Sequence, residues 1–344
     1  MNNYNFTEYK DLGLTGLANL GNSCYLNSFI QVLSHTYELN NFLKYGNYQK
    51  KLNNINDSVM LLEWDKLREL MWSENCTIAP HGFFNAVRKI AINKDKILFS
   101  DFQQNDIYEF LLFMIDCFHN GLSREVDMQI TGITKNKVDK LAEECYKMMK
   151  EMYKKEYSEI LELFYGISVT KICSFEKNKT LSIKPDPYSV LHLSLSDNSK
   201  TLYDCINEFC EKEELKDENA WFNEIKNEKE NVNKGVIFWS FPKILIILLK
   251  RWNYSGKKIH KIIDIPLSNL DLSKYVEGYN PESYIYDLYG ICNHSGSSLG
   301  GHYTAYVKNF NNKWYEYNDT NVNEIDENKL ISAQSYCLFY RKKK

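Results

Sequence analysis

Apolar residues recur at helical spacing through much of the first half of the chain. The apolar residues that follow Cys24 fall on one helical face: Leu26, Phe29, Ile30 and Leu33. This pattern predicts a helix that begins at Cys24 and turns that face inward, with Asn22 or Ser23 as its cap. Further helices are predicted over residues 59–72 and from residue 105 onward. Residues 137–164 fit either one long helix or two helices separated by a break.

After Gly166 the pattern changes to short runs of β-branched and aromatic residues bounded by turn formers. The predicted strands cover residues 167–172, 190–195, 237–241, 244–249, 284–292, 303–307, 313–317 and 336–341. Residues 309–312 are predicted to form a hairpin turn, and the last three strands are expected in one antiparallel sheet. Helices followed by strands predict an α+β fold with a cleft between its lobes.

Composition limits the class of protein further. The 344 residues are 44% hydrophobic, which suffices for one large core or two modest ones. We find no internal repeat and no linker rich in Pro, Gly or Ser, so we predict a single unit with lobes. The 42 basic and 45 acidic residues give a net charge of −3. This balance argues against a nucleic acid or an anionic membrane as a partner bound through bulk electrostatics.

The chain shows neither a membrane span nor a disulfide framework. Its longest aliphatic run, residues 244–249, is far shorter than the roughly 20 residues that cross a bilayer. The amino terminus lacks the apolar core of a secretory signal. Nine cysteines, an odd number without framework spacing, predict individual thiols in a soluble, reducing compartment.

Cys24 and His302 are the candidate reactive residues. A cysteine at a helix start is favoured as thiolate, the reactive form, although the commonest fate of a free cysteine is to fill space in a core. Before His302, Gly300 and Gly301 leave a substrate backbone unobstructed, and the following strand would hold the imidazole rigidly. Because cysteine hydrolysis needs a thiol, an imidazole base and a group that orients the base, the sequence predicts a cysteine peptidase. Its active site is expected in the cleft between lobes.

Four sequence blocks support a more specific assignment. Residues 16–28 read GLANLGNSCYLNS, residues 104–112 read QNDIYEFLL, and residues 242–252 read PKILIILLKRW. The fourth block begins with YG at residues 289–290, continues through His302 to ND at residues 318–319, and ends in YCLFYR at residues 336–341. In this order, over nearly the whole chain, they resemble the ubiquitin-specific proteases.

The resemblance implies a papain-like cysteine peptidase fold with a helical thumb, an antiparallel palm sheet and β-structured fingers. Residues 1–344 would form one catalytic domain. Its thumb would span about residues 12–164, its fingers about 165–243 and its palm about 244–342.

The resemblance also implies roles for three catalytic residues besides Cys24 and His302. Asn318 takes the place of the third triad member, which orients the imidazole, although a turn residue at a strand end is the alternative. Asp319 would face the other way in an extended segment and assist from there. Asn19 resembles the family residue that donates a hydrogen bond to the oxyanion, alongside the Cys24 N–H. A turn-forming asparagine is the alternative reading of Asn19.

Substrate contacts are expected on both walls of the cleft. Asp106 and Glu109 lie three residues apart on a predicted helix, a repulsive pair unless a cation binds, and the alternative is that they only stabilise the first turn. By resemblance, they grip the arginines of a ubiquitin tail that ends in Leu-Arg-Gly-Gly. Gly300 and Gly301 would contact this tail on the other wall. Ser297 lies in the Gly/Ser-rich segment 295–299, which resembles a mobile loop that binding would order.

Zinc is not expected, in contrast to many members of the family. Their two Cys-x-x-Cys pairs would fall near Cys173 and near residues 221–225, where this chain keeps one thiol and none. Cys205 and Cys210 are five apart and are predicted to lie on a helix beneath the sheet. The chemistry implied here needs no cofactor.

The predicted function is hydrolysis of the bond after the terminal glycine of ubiquitin through a thioester on Cys24. The expected partners are ubiquitin and ubiquitinated proteins, and the protein is expected to be a monomer in the cytoplasm, with the nucleus an alternative. Two other functions stay open. One is cleavage of another modifier that ends in Gly-Gly, and the other is a binding module that has lost turnover.

Overall fold

The computed structural model describes residues 6–53, 55–101, 103–175, 179–297 and 300–343. Helices occupy the first half of this part of the chain, as the period of the apolar residues predicts. The α-helices are α1 (Cys24–Ser34), α2 (Tyr37–Tyr45), α3 (Asn56–Ser73), α4 (His81–Asn93), α5 (Ile107–Leu122), α6 (Lys137–Tyr153), α7 (Glu159–Phe164) and α8 (Leu202–Cys210).

Strands dominate after Gly166, which confirms the predicted change of pattern. The strands are β1 (Gly16–Leu17), β2 (Thr77–Ile78), β3 (Gly166–Ser174), β4 (Thr180–Tyr188), β5 (Val190–Ser194), β6 (Glu213–Leu215), β7 (Trp221–Asn223), β8 (Glu228–Glu230), β9 (Val232–Ser240), β10 (Ile244–Lys250), β11 (Leu270–Asp271), β12 (Ile285–Ser297), β13 (Gly300–Lys308), β14 (Trp314–Asn318), β15 (Asn321–Ile325) and β16 (Ser335–Lys342).

The predicted helix at Cys24 is confirmed, and residues 137–164 form two helices, α6 and α7. Pattern reading missed α2 and α4. The helix α2 is short, with nine residues, whereas α4 has 13 residues and its apolar residues at 83, 84, 87, 90 and 91 do carry a helical spacing that was overlooked.

The largest sheet forms the palm and carries the carboxyl-terminal strands. Its order is β15-β14-β13-β12-β16-β10-β5, antiparallel except for the parallel pair β10–β5. The hairpin predicted between β13 and β14 is present, with Lys308 opposite Trp314. The strand β16 lies in the same sheet, but β12 and β13 separate it from β14 because β16 pairs with β10 and β12.

A second antiparallel sheet, in the order β4-β3-β9-β6, forms the fingers. The polar stretch 217–234 contains the small hairpin β7–β8 and the start of β9. The strands β7 and β8 were missed because each has only three residues, too few for the period-2 alternation of a strand to be visible.

The core sits on both faces of the palm sheet. On one face α1, buried along its whole length, packs between the other thumb helices and β13. On the other face α8 packs its Cys205 side against the sheet, as predicted for a helix beneath it. A smaller cluster joins α6 to the fingers. Among the residues that the structure describes, no helix has the length and apolar character that a bilayer crossing requires.

Candidate active site

The loop before α1 is shaped by the side chain of Asn19. Its Oδ1 accepts hydrogen bonds from Gly21 N at 3.1 Å and from Ser23 N at 3.1 Å. Gly21 and Asn22 both adopt left-handed backbone conformations, with φ of 103° and 50°. An asparagine that accepts bonds from the next turn favours this chain reversal. The predicted alternative of a turn-forming Asn19 is therefore realised, and its Nδ2 is left to make another contact.

Ser23 occupies the N-cap position of α1, but its side chain makes no capping hydrogen bond to the helix. Its hydroxyl accepts instead from Leu20 N at 2.9 Å. The first N–H groups of the helix are consequently directed at Cys24 itself, where the N–H groups of Tyr25 and Cys24 lower the pKa of the thiol.

Cys24 is nevertheless buried, with 4% of its surface exposed. Burial raises the pKa of the Cys24 thiol above the usual value, and the charge of Asp319 raises it further. The N–H of Tyr303 has the largest opposing effect on this pKa. The helix start was expected to favour the thiolate, but burial outweighs this effect, and the pKa of Cys24 is raised overall.

Strand β13 carries His302 directly before the residue that faces this thiol. Tyr303, whose N–H faces Cys24, is the residue directly after His302, and α1 packs against β13. The structure thus places Cys24 and His302 on facing elements of the thumb and palm, as the sequence predicts from their separation.

The imidazole of His302 is held by the neighbouring strand. Its Nε2 donates to Oδ1 of Asn318 at 2.7 Å. Asn318 is the last residue of β14, which pairs with β13 from Ala305 to Lys308. Because Nε2 carries the proton of this bond, Nδ1 is the nitrogen that is free to accept a proton.

Asp319 links the palm to the loop before α1. Its carboxylate accepts from Asn27 Nδ2 at 2.8 Å and from Asn19 Nδ2 at 3.0 Å, and its carbonyl accepts from Leu17 N at 2.8 Å. The condition under which Asp319 was expected to face the other way, an extended segment, is not met. The φ of 50° makes Asp319 a turn residue between β14 and β15, which directs the carboxylate toward Asn19.

A cleft of about 350 Å³ opens beside Cys24. Its lining includes the predicted substrate residues Asp106, Ser297, Gly300 and Gly301. Gln104 crosses this cleft, since its side-chain amide makes two hydrogen bonds to the backbone of Gly301.

The two predicted arginine-binding acids differ in environment. Asp106 caps α5, where its carboxylate accepts from Tyr108 N and from the Tyr336 hydroxyl, both at 2.8 Å. Burial raises the pKa of the Asp106 carboxyl, and these two donors only partly offset it. Glu109 is exposed and does not line the cleft, and its side chain makes no hydrogen bond or ion pair within the described part of the chain.

Part of the segment 295–299, which was expected as a mobile loop, lies in a strand. Residues 295–297 are the last of β12, with Gly296 opposite Gly301 and Ser297 opposite Gly300. Ser298 and Leu299 lie outside the described residues. Alternating glycine and serine lack the apolar face that would have signalled a strand, so pattern reading missed this extension.

Three further residues at the site had no predicted role: Asn27, Gln104 and His294. All lie in the quoted sequence blocks, which was the available signal. Asn27 is 2% exposed and lies one helical turn after Cys24. His294 lines the cleft, and burial lowers the pKa of its imidazole to about 4, with Lys258 adding to the effect. It is therefore neutral at pH 7.

The described residues contain no group of three His, Cys, Asp or Glu side chains placed to hold a metal ion. Near the expected zinc position, Cys173 lies on β3, and the Lys216 ammonium is 4.4 Å from the centre of the Phe175 ring. Whether the protein binds zinc stays a prediction for metal analysis.

Sequence comparison places this site in a known family. The family model described as ubiquitin carboxyl-terminal hydrolase matches residues 15–340. Ubiquitin carboxyl-terminal hydrolase Usp2 of Drosophila melanogaster is 35% identical over 343 residues, covering 97% of this chain and 35% of that protein. Human ubiquitin carboxyl-terminal hydrolase 2 is 30% identical over 342 residues, covering 95% of this chain and 55% of that protein. The chain therefore spans between a third and just over half of the length of these relatives.

Solved structures share the fold. The structure titled SAGA Ubp8/Sgf11/Sus1/Sgf73 DUB module bound to ubiquitin aldehyde matches with a TM-score of 0.74 at 22% identity. The match covers 98% of this chain and 71% of that one. The predicted α+β arrangement of thumb, palm and fingers is confirmed by this likeness.

Proposed function

Because the chain belongs to the ubiquitin carboxyl-terminal hydrolase family, we propose that its cleft hydrolyses the peptide or isopeptide bond after the terminal glycine of ubiquitin. Cys24 is the nucleophile, His302 the general base and acid, and Asn318 the residue that orients the imidazole. The observation that carries this proposal is the hydrogen bond of 2.7 Å from His302 Nε2 to Asn318. The residue that follows His302 on β13, Tyr303, faces the Cys24 thiol.

The first step is attack of Cys24 on the carbonyl of the terminal glycine. Burial holds Cys24 as a thiol, so its proton must move to Nδ1 of His302 as the sulfur attacks. Oδ1 of Asn318 accepts a hydrogen bond from the Nε2–H throughout and thereby fixes the tautomer in which Nδ1 has a lone pair. An amide stabilises the resulting imidazolium less than a carboxylate does.

The tetrahedral oxyanion is stabilised by the Cys24 N–H and the side-chain amide of Asn19. In the free protein, Asn19 Nδ2 donates to Asp319, which holds the amide beside the helix start before substrate arrives. Asp319 therefore acts as a positioning residue for Asn19, assisted by Asn27.

Collapse of the intermediate breaks the bond to the leaving lysine amine, which takes the proton from His302 and leaves a thioester on Cys24. Water then loses a proton to His302 as it attacks the thioester, and the thiol recovers that proton when it departs. Ubiquitin leaves with a free carboxylate, and no cofactor takes part.

Substrate binding follows from charge and from the shape of the cleft. Glu109 is exposed and without an ion pair among the described residues, so it is available to an arginine of the ubiquitin tail. Asp106 lines the cleft, and a cation bound near it would favour the ionised form of the Asp106 carboxyl against the effect of burial. The structural neighbour named above is described as bound to ubiquitin aldehyde, which supports ubiquitin as the substrate.

The test is hydrolysis of a ubiquitin C-terminal fluorogenic amide. We expect turnover by the wild type, none by Cys24→Ala, and unchanged turnover by Cys210→Ala, which removes a half-buried thiol from α8. Labelling of Cys24 by electrophile-tipped modifiers separates the alternatives. Labelling by another Gly-Gly modifier in preference to ubiquitin would identify that modifier as the substrate. Ubiquitin binding without turnover would identify the chain as a binding module.

We also propose that the protein acts on ubiquitinated proteins as a monomer in the cytoplasm, with the nucleus an alternative address. Size-exclusion chromatography with light scattering tests the oligomeric state. Imaging of the tagged protein tests the location.

A further inference from the structure

Gln104 connects the two walls of the cleft. It lies just before α5 on the thumb side, whereas Gly301 lies on β13, 197 residues later. The Gln104 Nε2 donates to Gly301 O at 3.1 Å, and its Oε1 accepts from Gly301 N at 2.9 Å. This pair of bonds, which we call the Gln104 latch, spans the entrance to the space beside Cys24.

The latch occupies an open strand edge. Strand β14 pairs with β13 only at residues 305–308, so within the described residues no strand covers that edge of β13 at residues 300–304. In an antiparallel ladder, alternate residues direct both backbone groups to the same side. Gly301 and Tyr303 therefore face this edge together, the first bonded to Gln104 and the second facing the Cys24 thiol.

A glutamine side chain carries the same donor and acceptor pair as a peptide group. The two hydrogen bonds between Gln104 and Gly301 reproduce the exchange of N–H and C=O between opposite residues of an antiparallel sheet. We propose that Gln104 holds the place of the substrate main chain, and that the extended tail of the substrate pairs with Gly301 after displacing Gln104. This inference rests on the function proposed above.

The spacing along β13 suits such a strand. Gly301 and Tyr303 are two residues apart, about 6.6 Å along a strand. A single extended tail can thus bond to Gly301 and present its terminal carbonyl to Cys24. The glycine is required there, since a Cβ at residue 301 would lie 2.3 Å from Ser295 O and 2.4 Å from His294 Nε2. A side chain at residue 301 would therefore displace β13 from its neighbour β12 and shift the backbone groups of this edge.

The latch is expected to affect substrate binding and not chemistry. Its bonds are neutral and Gln104 is exposed, so it opens readily, and the closed fraction reduces the apparent affinity for substrate. Once the tail is bound, the latch is open in every molecule. Removal of the side chain should therefore lower KM and leave kcat unchanged.

Steady-state hydrolysis of the ubiquitin fluorogenic amide tests this with Gln104→Ala. We expect KM to fall by about 3-fold to 10-fold, the effect of one or two modest hydrogen bonds. The matched control is Gln103→Ala, whose side chain bonds Asp101 at 3.0 Å and should leave KM unchanged. An unchanged or higher KM for Gln104→Ala overturns the latch. Absence of turnover by the wild type overturns the proposed function instead.

Hydrogen exchange at the Gly301 amide gives a readout independent of turnover. The amide should exchange slowly in the free wild type, faster in Gln104→Ala, and equally slowly in both after reaction with an electrophile-tipped ubiquitin. Equal exchange in the two free proteins would show that the latch does not form in solution. An amide left unprotected in both ubiquitin-bound proteins would show that the tail does not use this edge.

Discussion

Asn27 donates a hydrogen bond of 2.8 Å to the carboxylate of Asp319, although 292 residues separate them. The same carboxylate accepts from Asn19 at 3.0 Å. One turn residue of the palm thus fixes both the helix that carries the nucleophile and the loop that carries the proposed oxyanion donor.

We predict that this relationship appears as coupling between Asp319 and Asn19. Asn19→Ala should lower kcat by about 10²-fold, because it removes a donor to the oxyanion. Asp319→Ala should lower kcat by about 10-fold, because Asn19 is no longer held in place. The double variant should resemble Asn19→Ala alone, and a product of the two factors would contradict the shared contact. The control is Glu324→Ala on β15, which loses only an exposed ion pair with Lys313.

The bond between His302 and Asn318 predicts a graded response at residue 318. Asn318→Ala should lower kcat by about 10²-fold, since nothing then selects the tautomer that accepts the Cys24 proton. Asn318→Asp should retain at least wild-type kcat, because a carboxylate accepts the same bond and stabilises the imidazolium better. Measured kcat values check both changes, and equal losses for Ala and Asp would mean that residue 318 only maintains the turn.

The raised pKa of Cys24 predicts the pH dependence of its alkylation. Since burial disfavours the thiolate, the free protein should react slowly with iodoacetamide at pH 7, with a rate that rises through the pH range of an ordinary thiol and beyond. Asp319→Asn should shift this profile to lower pH, because the charge of Asp319 raises the same pKa. Fast alkylation with a midpoint in the acidic range would instead reveal a stable pair of thiolate and imidazolium.

The zinc prediction is tested by metal analysis. Protein washed with a chelator should contain no stoichiometric zinc, and 1,10-phenanthroline should not change its melting temperature, because a structural zinc site usually needs four ligands. Stoichiometric zinc retained after washing would refute the prediction. It would also imply ligands other than the Cys-x-x-Cys pairs of the family.

The ion cluster around Glu159 predicts a pH-dependent contribution to stability. Burial raises the pKa of Glu159, but hydrogen bonds from Arg124 at 2.8 and 3.0 Å and from Lys51 at 2.7 Å lower it to about 2. A lowered carboxyl pKa stabilises the fold above the unfolded pKa, and this contribution is lost as pH falls toward the folded value.

Glu159→Gln should therefore lower the free energy of unfolding by about 1 to 2 kcal/mol at pH 7, after allowance for partial exposure. The difference from wild type should shrink as pH falls below about 4.5, the value of an unperturbed glutamate. Urea unfolding at several pH values measures it. Glu151→Gln, an exposed acid on α6, is the matched control, and a difference independent of pH would exclude an ionic origin.

Much of the fold was predictable because local patterns are enough for long elements. The apolar stripe after Cys24 predicts α1, and the β-branched runs after Gly166 predict most of the palm strands. The hairpin between β13 and β14 followed from its turn residues. The missed elements α2 and β15 are short, and neighbours in space decide their structure, whereas α4 carries a helical apolar spacing that was overlooked.

The sequence by itself determined which residue types are present for cysteine chemistry and the order in which the lobes supply them. Only the tertiary structure decided their contacts and environment: that Asp319 turns toward Asn19 and Asn27, that burial raises the pKa of Cys24, and that Gln104 pairs with Gly301. Desolvation and hydrogen bonds across hundreds of residues depend on which side chains the packed chain brings together, and no local pattern contains that information.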